Sequence, residues 1–232
     1  MTAPTAAQDG QPGAQRPHDA AGPRRLRILL VGAGGVVGRC VHGALRDRHE
    51  VITAGLEPAQ GPQQLQLDLA DTPALVQALQ ALGPLDAVIS TAGRARFGPL
   101  AQAQPAGIDT SVYGLGLHDK LMGQVNLALA ARAVLRPGGS ITLTSGTTST
   151  EPVIGGAGLS MVNGALESWA RAAATELPQG WRLNVVSPSL VEGTPEAACA
   201  AFPGFERVSG ERVALAYVRC LMSGITGQVL RI

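Results

Sequence analysis

The sequence predicts an α/β chain built on one doubly wound parallel sheet of about seven strands, with helices on both faces. Three observations carry that prediction. The apolar run Ile28 to Val31 leads straight into Gly32, Gly35 and Gly38, a strand, a tight turn and the start of a helix. Strand-like and helix-like stretches then alternate to the C-terminus. After the sixth strand too few residues remain for a second domain, so 24–232 is read as a single unit. The glycines permit a close backbone approach to a ligand. The free N–H groups and the positive dipole at that helix start suit a phosphate. Together this is the Rossmann-type unit of a dinucleotide-binding domain.

The elements follow in order. Val36 to Arg46 is a helix. Glu50 to Ala54 and Gln64 to Leu69 are the second and third strands. Asp71 or Thr72 caps the next helix, Pro73 suits its first turn, and Gly83-Pro84 ends it. Leu85 to Thr91 is the fourth strand. A loop with a short helix fills Arg94 to Gly116, and a long helix runs from Asp119 to Leu135, stopped by Pro137-Gly138-Gly139. Ser140 to Ser145 is the fifth strand. Gly158 to Leu177 is a helix, Arg182 to Ser187 the sixth strand, Glu211 to Met222 a helix and Gln228 to Ile232 the last strand.

Composition narrows the function. The 232 residues are 45% hydrophobic with a net charge of +1, enough for one sizeable core and without the basic runs that nucleic acid would call for. No apolar stretch reaches the roughly 20 residues a membrane span needs. Residues 1–23 carry no hydrophobic signal core and read as a disordered tail. Cys40, Cys199 and Cys220 are scattered and odd in number, which points to a reducing, cytoplasmic setting and to no metal spacing.

Several segments, taken in order, resemble the short-chain dehydrogenase/reductase family across Leu26 to Ile232. GAGGVVG stands at the phosphate turn, Asp68-Leu69 at the adenine, and Asp86 at the start of the fourth strand. Thr91-Ala92-Gly93 lines the cofactor. Ser145 falls where the family places its substrate-orienting serine, Asn184 to Pro188 near the nicotinamide, and Gly227 to Leu230 at the closing strand. The resemblance implies a nicotinamide cofactor held by Gly32, Gly34, Gly35, Val36, Val37, Gly38, Arg39, Asp68, Leu69, Thr91, Ala92, Gly93, Asn163 and Pro188. It also implies a small-molecule substrate and a homodimer or homotetramer. That assembly would pair the long helix (Val125, Leu129, Ala133) and the helix bearing Ala165, Ala172 and Ala173, faces that would serve equally against the sheet.

The resemblance breaks where the family's chemistry is centred. Its Tyr-x-x-x-Lys pair aligns with Leu159 and Asn163, which supply neither a transferable proton nor a charge to depress a neighbouring pKa. A divergent subgroup shares this pattern. The family's relay asparagine aligns with Lys120, which is either the replacement acid or a structural cation. Ser145 either bonds a substrate carbonyl or caps the strand end. Ser160 is turned about 100° from Leu159. His118 and Tyr113 are alternative proton sources or surface groups, and Arg94 and Arg96 either attract an anion or are solvated. A triad of Ser145, His118 and Asp119 is rejected, because His118 and Asp119 are adjacent on one helix start. Gly55-Leu56 ends the second strand with neither acid nor base. Arg39 can meet a 2′-phosphate or stand in solvent, so NADP is favoured over NAD. Phe202 and Phe205 can cover the cleft. Two functions follow: an NAD(P)-dependent oxidoreductase acting on a small carbonyl, alcohol or enone with a non-standard proton donor, or a redox-inactive member that keeps the nucleotide pocket.

Overall fold

The computed structural model describes residues 24–178 and 180–232. The tail expected over 1–23 lies outside them. A seven-stranded sheet has the order β3-β2-β1-β4-β5-β6-β9, with every pairing parallel. Its strands are β1 (Arg27–Val31), β2 (Glu50–Gly55), β3 (Gln64–Gln66), β4 (Leu85–Ser90), β5 (Leu135–Thr144), β6 (Arg182–Ser187) and β9 (Val229–Arg231). This is the single-domain, doubly wound α/β architecture that the sequence predicts.

The near-continuous apolar strands are explained by burial on both faces. Along β1 alternate residues enter opposite cores. Leu29 and Val31 join a cluster with Leu75, Leu79, Leu127, Leu166 and Ala170. These come from α2 (Thr72–Leu82), α3 (Gln124–Ala131) and α4 (Ala157–Ala174). Ile28 and Leu30 join Val41, Leu45, Val213, Tyr217 and Leu221, from α1 (Val36–Leu45) and α6 (Gly210–Met222). Each fully buried leucine or isoleucine contributes roughly 1.5–3 kcal/mol. Strand order reverses at β1, between β2 and β4, so a cleft opens at their C-terminal ends.

Several boundaries differ from expectation. β3 ends at Gln66, because Asp68 folds back: its carboxylate accepts the Ala70 N–H at 2.9 Å and its carbonyl the Asp71 N–H at 3.1 Å. Asp71, of the two candidates, caps α2 by accepting the Ala74 N–H at 3.0 Å. The long helix begins earlier, as a π-helix over Gly116–Gly123 that runs directly into α3, and it ends earlier, at Ala131. Its glycines admit close neighbours: a Cβ on Gly116 would meet Ala95 at 3.1 Å, and one on Gly123 would meet Leu69 at 2.9 Å. β5 already starts at Leu135, pairing with Leu85. It crosses Pro137-Gly138-Gly139 with a register shift before Ser140 pairs with Ala87. α4 stops at Ala174, three residues short of Leu177. The short helix expected within 94–116 is a single 3₁₀ turn, Leu100–Gln102. β7 (Leu190–Val191), α5 (Glu196–Cys199) and β8 (Arg207–Val208) were not legible; the two strands pair with each other, not with the main sheet.

Gly38 seats α1 on the end of β1. A Cβ there would lie 2.0 Å from the Gly32 carbonyl oxygen and 2.8 Å from the Ala33 Cα, whereas one on Gly34 would meet nothing within 4 Å. Gly38→Ala is therefore expected to lower stability by about 3 kcal/mol, and Gly34→Ala by less than about 1 kcal/mol, in urea unfolding followed by circular dichroism.

Candidate functional site

The cleft at the ends of β1 and β4 has a volume of about 640 Å³. Val31 to Gly35 form its floor, Thr53 to Gln60 one wall, and Asp68, Leu69 and Thr91 to Arg94 the other. The turn is built by backbone. The Gly32 N–H donates to the Ala54 carbonyl at 2.8 Å, and the Gly35 N–H to the Gly32 carbonyl at 3.1 Å. Gly32 holds φ +86°, and a Cβ on it would sit 2.7 Å from the Ala92 nitrogen. The Thr91 hydroxyl donates to the carbonyls of Val31 and Gly32, 3.0 Å from each. No side chain caps α1, so the N–H groups of its first turn stay free beside Gly34 and Gly35. Such a cradle fits a pyrophosphate.

Of the residues expected at the cofactor, Gly32, Gly34, Gly35, Asp68, Leu69, Thr91, Ala92 and Gly93 line this cleft. Val36, Val37 and Gly38 form the first turn of α1 beneath it. Arg39 is exposed, with its guanidinium donating to the Gly34 carbonyl at 2.5 Å. Asn163 and Pro188 stand elsewhere, around the turn that follows β5. The Thr147 N–H donates to the Pro188 carbonyl at 3.1 Å, and the Asn163 amide donates to the Thr148 hydroxyl at 2.8 Å. The Asn163 Oδ1 is buried and has no donor among the described residues. Two wall residues escaped the sequence reading: Glu57, two positions past Gly55, and His42, one turn past Arg39 on α1.

Lys120 lies behind Gly93. A Cβ on Gly93 would touch the Lys120 stem at 2.8 Å. The ammonium donates to the Ser145 carbonyl at 3.4 Å. Removal of water lowers its pKa from 10.5 to about 8, against the opposing pull of Asp119. Among the 18 basic residues, 17 are arginines and Lys120 is the single lysine. Counting lysines would have singled it out from the sequence alone.

The other candidates are engaged elsewhere. The Ser145 hydroxyl donates at 2.8 Å to the buried Glu167 carboxylate, away from the cleft. Arg94 is tied to Asp119, its backbone N–H at 2.6 Å and its Nε at 2.8 Å, which holds its pKa above the ordinary arginine value. His118 pairs with Asp109 on the surface at 2.9 Å. The Tyr113 ring lies against Gly158, just before Leu159. The Ser160 hydroxyl is buried with no hydrogen-bond partner among the described residues. Phe202 stacks edge-on between Phe97 and Phe205, with centroids 5.6 and 5.5 Å away, so the β7–β8 segment is joined to the loop after β4. No cluster of metal-ligating side chains occurs among the described residues.

A family model described as Enoyl-(Acyl carrier protein) reductase matches residues 41–230. The chain belongs to the short-chain dehydrogenase/reductase family. It is 28% identical to the L-xylulose reductase of Mus musculus over 178 residues, 71% of each chain. It is 28% identical to the Carbonyl reductase [NADPH] 2 of Sus scrofa over 201 residues, 81% of this chain and 80% of that one. Among solved structures, the protein lin1944 from Listeria innocua is 33% identical, covers 89% of this chain and 99% of its own, and superposes with a TM-score of 0.82. A small-chain dehydrogenase in complex with NADPH, 23% identical over 90% of this chain and 97% of its own, shares the fold with a TM-score of 0.76. Within this short-chain family fold, Lys120 packs directly behind Gly93.

The lowered pKa of Lys120 makes stability pH-dependent. The unfolded chain holds the lysine proton up to about 10.5 and the folded chain only to about 8, so stability rises with pH across that window. Lys120→Met is expected to stabilise the fold by about 1–2 kcal/mol at pH 7, with the gain vanishing near pH 10.5, in denaturant titrations at both pH values.

Proposed function

We propose that this chain is an NADP-dependent oxidoreductase that acts on a small carbonyl, alcohol or enone substrate, with Lys120 as proton donor. The observation that carries this reading is the position of the single lysine: half-buried, behind the cofactor wall, with an ammonium that releases its proton near pH 8. The nicotinamide group supplies the hydride when bound. The chain's own residues hold the pyrophosphate at the Gly32–Gly38 turn, seat the adenine beside Asp68 and Leu69, and deliver a proton from the Lys120 Nζ. Leu159 carries no proton to give, and the Ser145 hydroxyl is bound to Glu167.

NADP is preferred over NAD because Gly55 and Leu56 place no carboxylate directly at the end of β2, while Arg39 and His42 stand one turn apart on α1. Glu57 is the opposing feature. The Carbonyl reductase [NADPH] 2 of Sus scrofa and the small-chain dehydrogenase in complex with NADPH support the same choice. A homodimer or homotetramer is supported by the exposed Met122, Leu129 and Met161 on the π-helix, α3 and α4. A cytoplasmic setting is supported by three free cysteines. No described helix is long and apolar enough to cross a membrane. The rival reading is a member of the atypical subgroup that keeps the pocket without redox chemistry. It draws on Leu159, Asn163 and the buried Ser145 hydroxyl.

NADPH fluorescence and a panel of ketones, quinones and enones separate the two. The proposal expects tighter binding of NADPH than of NADH, and oxidation by at least one substrate, with a reduction rate that falls as pH rises through about 8. Lys120→Ala is expected to lower kcat by about 10²–10⁴-fold, while Lys120→Arg preserves part of the binding. Unchanged turnover in Lys120→Ala removes Lys120 from the mechanism. Binding by Lys120→Ala and wild type alike, with no oxidation by any substrate, favours the rival.

A further inference from the structure

Among the described residues, the most heavily bonded buried charge is Glu167, on α4, which is 2% exposed. Its Oε1 accepts the hydroxyls of Ser145 at 2.8 Å, Ser149 at 2.7 Å and Ser187 at 3.0 Å. Its Oε2 accepts the Arg231 guanidinium at 2.8 Å. A carboxylate taken out of water is costly unless donors surround it, and these four fill both oxygens. The donors come from the turn after β5, the end of β6 and the edge strand β9.

One helical turn before Glu167, Asn163 bonds Thr148. Positions 163 and 167 of α4 therefore grip the 145–149 turn from below. The turn lies against the helix at Gly146, where a Cβ would sit 3.0 Å from the Asn163 amide nitrogen. With Ser145, Thr148 and Ser149 held downward, what Ser145 presents to Lys120 is its carbonyl oxygen. Ser145 is thus shared: its hydroxyl belongs to Glu167 and its carbonyl to the Lys120 ammonium.

We infer that Glu167, clamped by Arg231, is a positioning residue: it fixes the 145–149 turn and, through Ser145, the place and dryness of the Lys120 ammonium. This rests on the reading of Lys120 as proton donor. The arrangement ties the last strand to the reaction centre, because Arg231 closes the clamp from β9. The charged group acting directly on Lys120 is Asp119, on its own helix and paired with Arg94, whereas Glu167, paired with Arg231, is linked to it only through Ser145. When the clamp is released the turn loosens, water reaches the ammonium, and its pKa climbs toward the ordinary lysine value.

A single lysine makes the test direct. Trace acetylation of the full chain with acetic anhydride between pH 6 and 10.5, followed at the Lys120 peptide by mass spectrometry, reads the free-amine fraction without reference to turnover. The wild type is expected to titrate near pH 8. Glu167→Gln and Arg231→Met are expected to move the midpoint up by one unit or more, lowering labelling at pH 8 at least about fivefold. Arg231→Lys restores wild-type behaviour, and Ser149→Ala, the mildest change, moves it the same way by less. If Glu167→Gln does not fold, Arg231→Met and Ser149→Ala carry the test. Folded Glu167→Gln and Arg231→Met proteins in which Lys120 still titrates as in wild type overturn the inference. A shifted labelling curve with an unshifted pH profile of turnover upholds the positioning and sinks Lys120 as proton donor instead.

Discussion

The structure depends on one close approach: the first turn of α1 rests on the Gly32 carbonyl because Gly38 has no side chain. That contact sets the height of α1 over the sheet. It keeps the uncapped amides of the helix start at the mouth of the cleft, where β1 and β4 end side by side. Thr91 then bonds back to the carbonyls of Val31 and Gly32, so the second wall is fixed to the first. A larger residue at 32 or 38 would strike backbone, which cannot move aside as a side chain can. Backbone contacts, locked by the Thr91 hydroxyl, therefore shape the floor of the cleft.

Beyond Gly93 the structure is held by side chains that bond one another. The hydroxyls of Ser145 and Ser149 go to Glu167, and the Asn163 amide goes to Thr148. Arg94 and Asp119 bond each other. Most of these polar groups are engaged in internal bonds, the Asn163 Oδ1 and the Ser160 hydroxyl being unpaired among the described residues, and Lys120 keeps one long bond to a carbonyl. An ammonium with a single 3.4 Å partner and little water holds its proton loosely, a physical basis for giving it the proton-transfer role.

Much of this was legible in the sequence where local pattern dictates structure. The apolar run into three spaced glycines gave β1, the turn and α1, and Asp71 with Pro73 gave the start of α2. The alternation of strand and helix gave the parallel sheet. Boundaries failed where tertiary contact outranks local propensity. Pro137-Gly138-Gly139 reads as a stop between helix and strand, yet β5 runs through it because Leu135 finds Leu85 across the sheet. The π-helix over 116–123 leaves no periodic trace, since it is set by the room that Gly116 and Gly123 leave for Ala95 and Leu69. The two-residue strands β7 and β8 are shorter than any repeat that a pattern can reveal.

The site was legible unevenly. Most of the expected residues that line the cleft belong to the turn after β1 and the facing end of β4, where spacing along the chain nearly equals proximity in space. Glu167 was opaque, because its partners are separated from it by 18 to 64 residues and meet only after β6 and β9 dock. The orientation of Ser145 was opaque for the same reason. The most direct measurement of the account is a crystal structure of the protein with NADPH. It should show the pyrophosphate against the free amides of the α1 start, Gly34, Val36 and Val37, and the nicotinamide ring beyond Gly93 on the Lys120 side. A nucleotide absent from that turn at saturating concentration, or one with its nicotinamide directed away from Lys120, would contradict it.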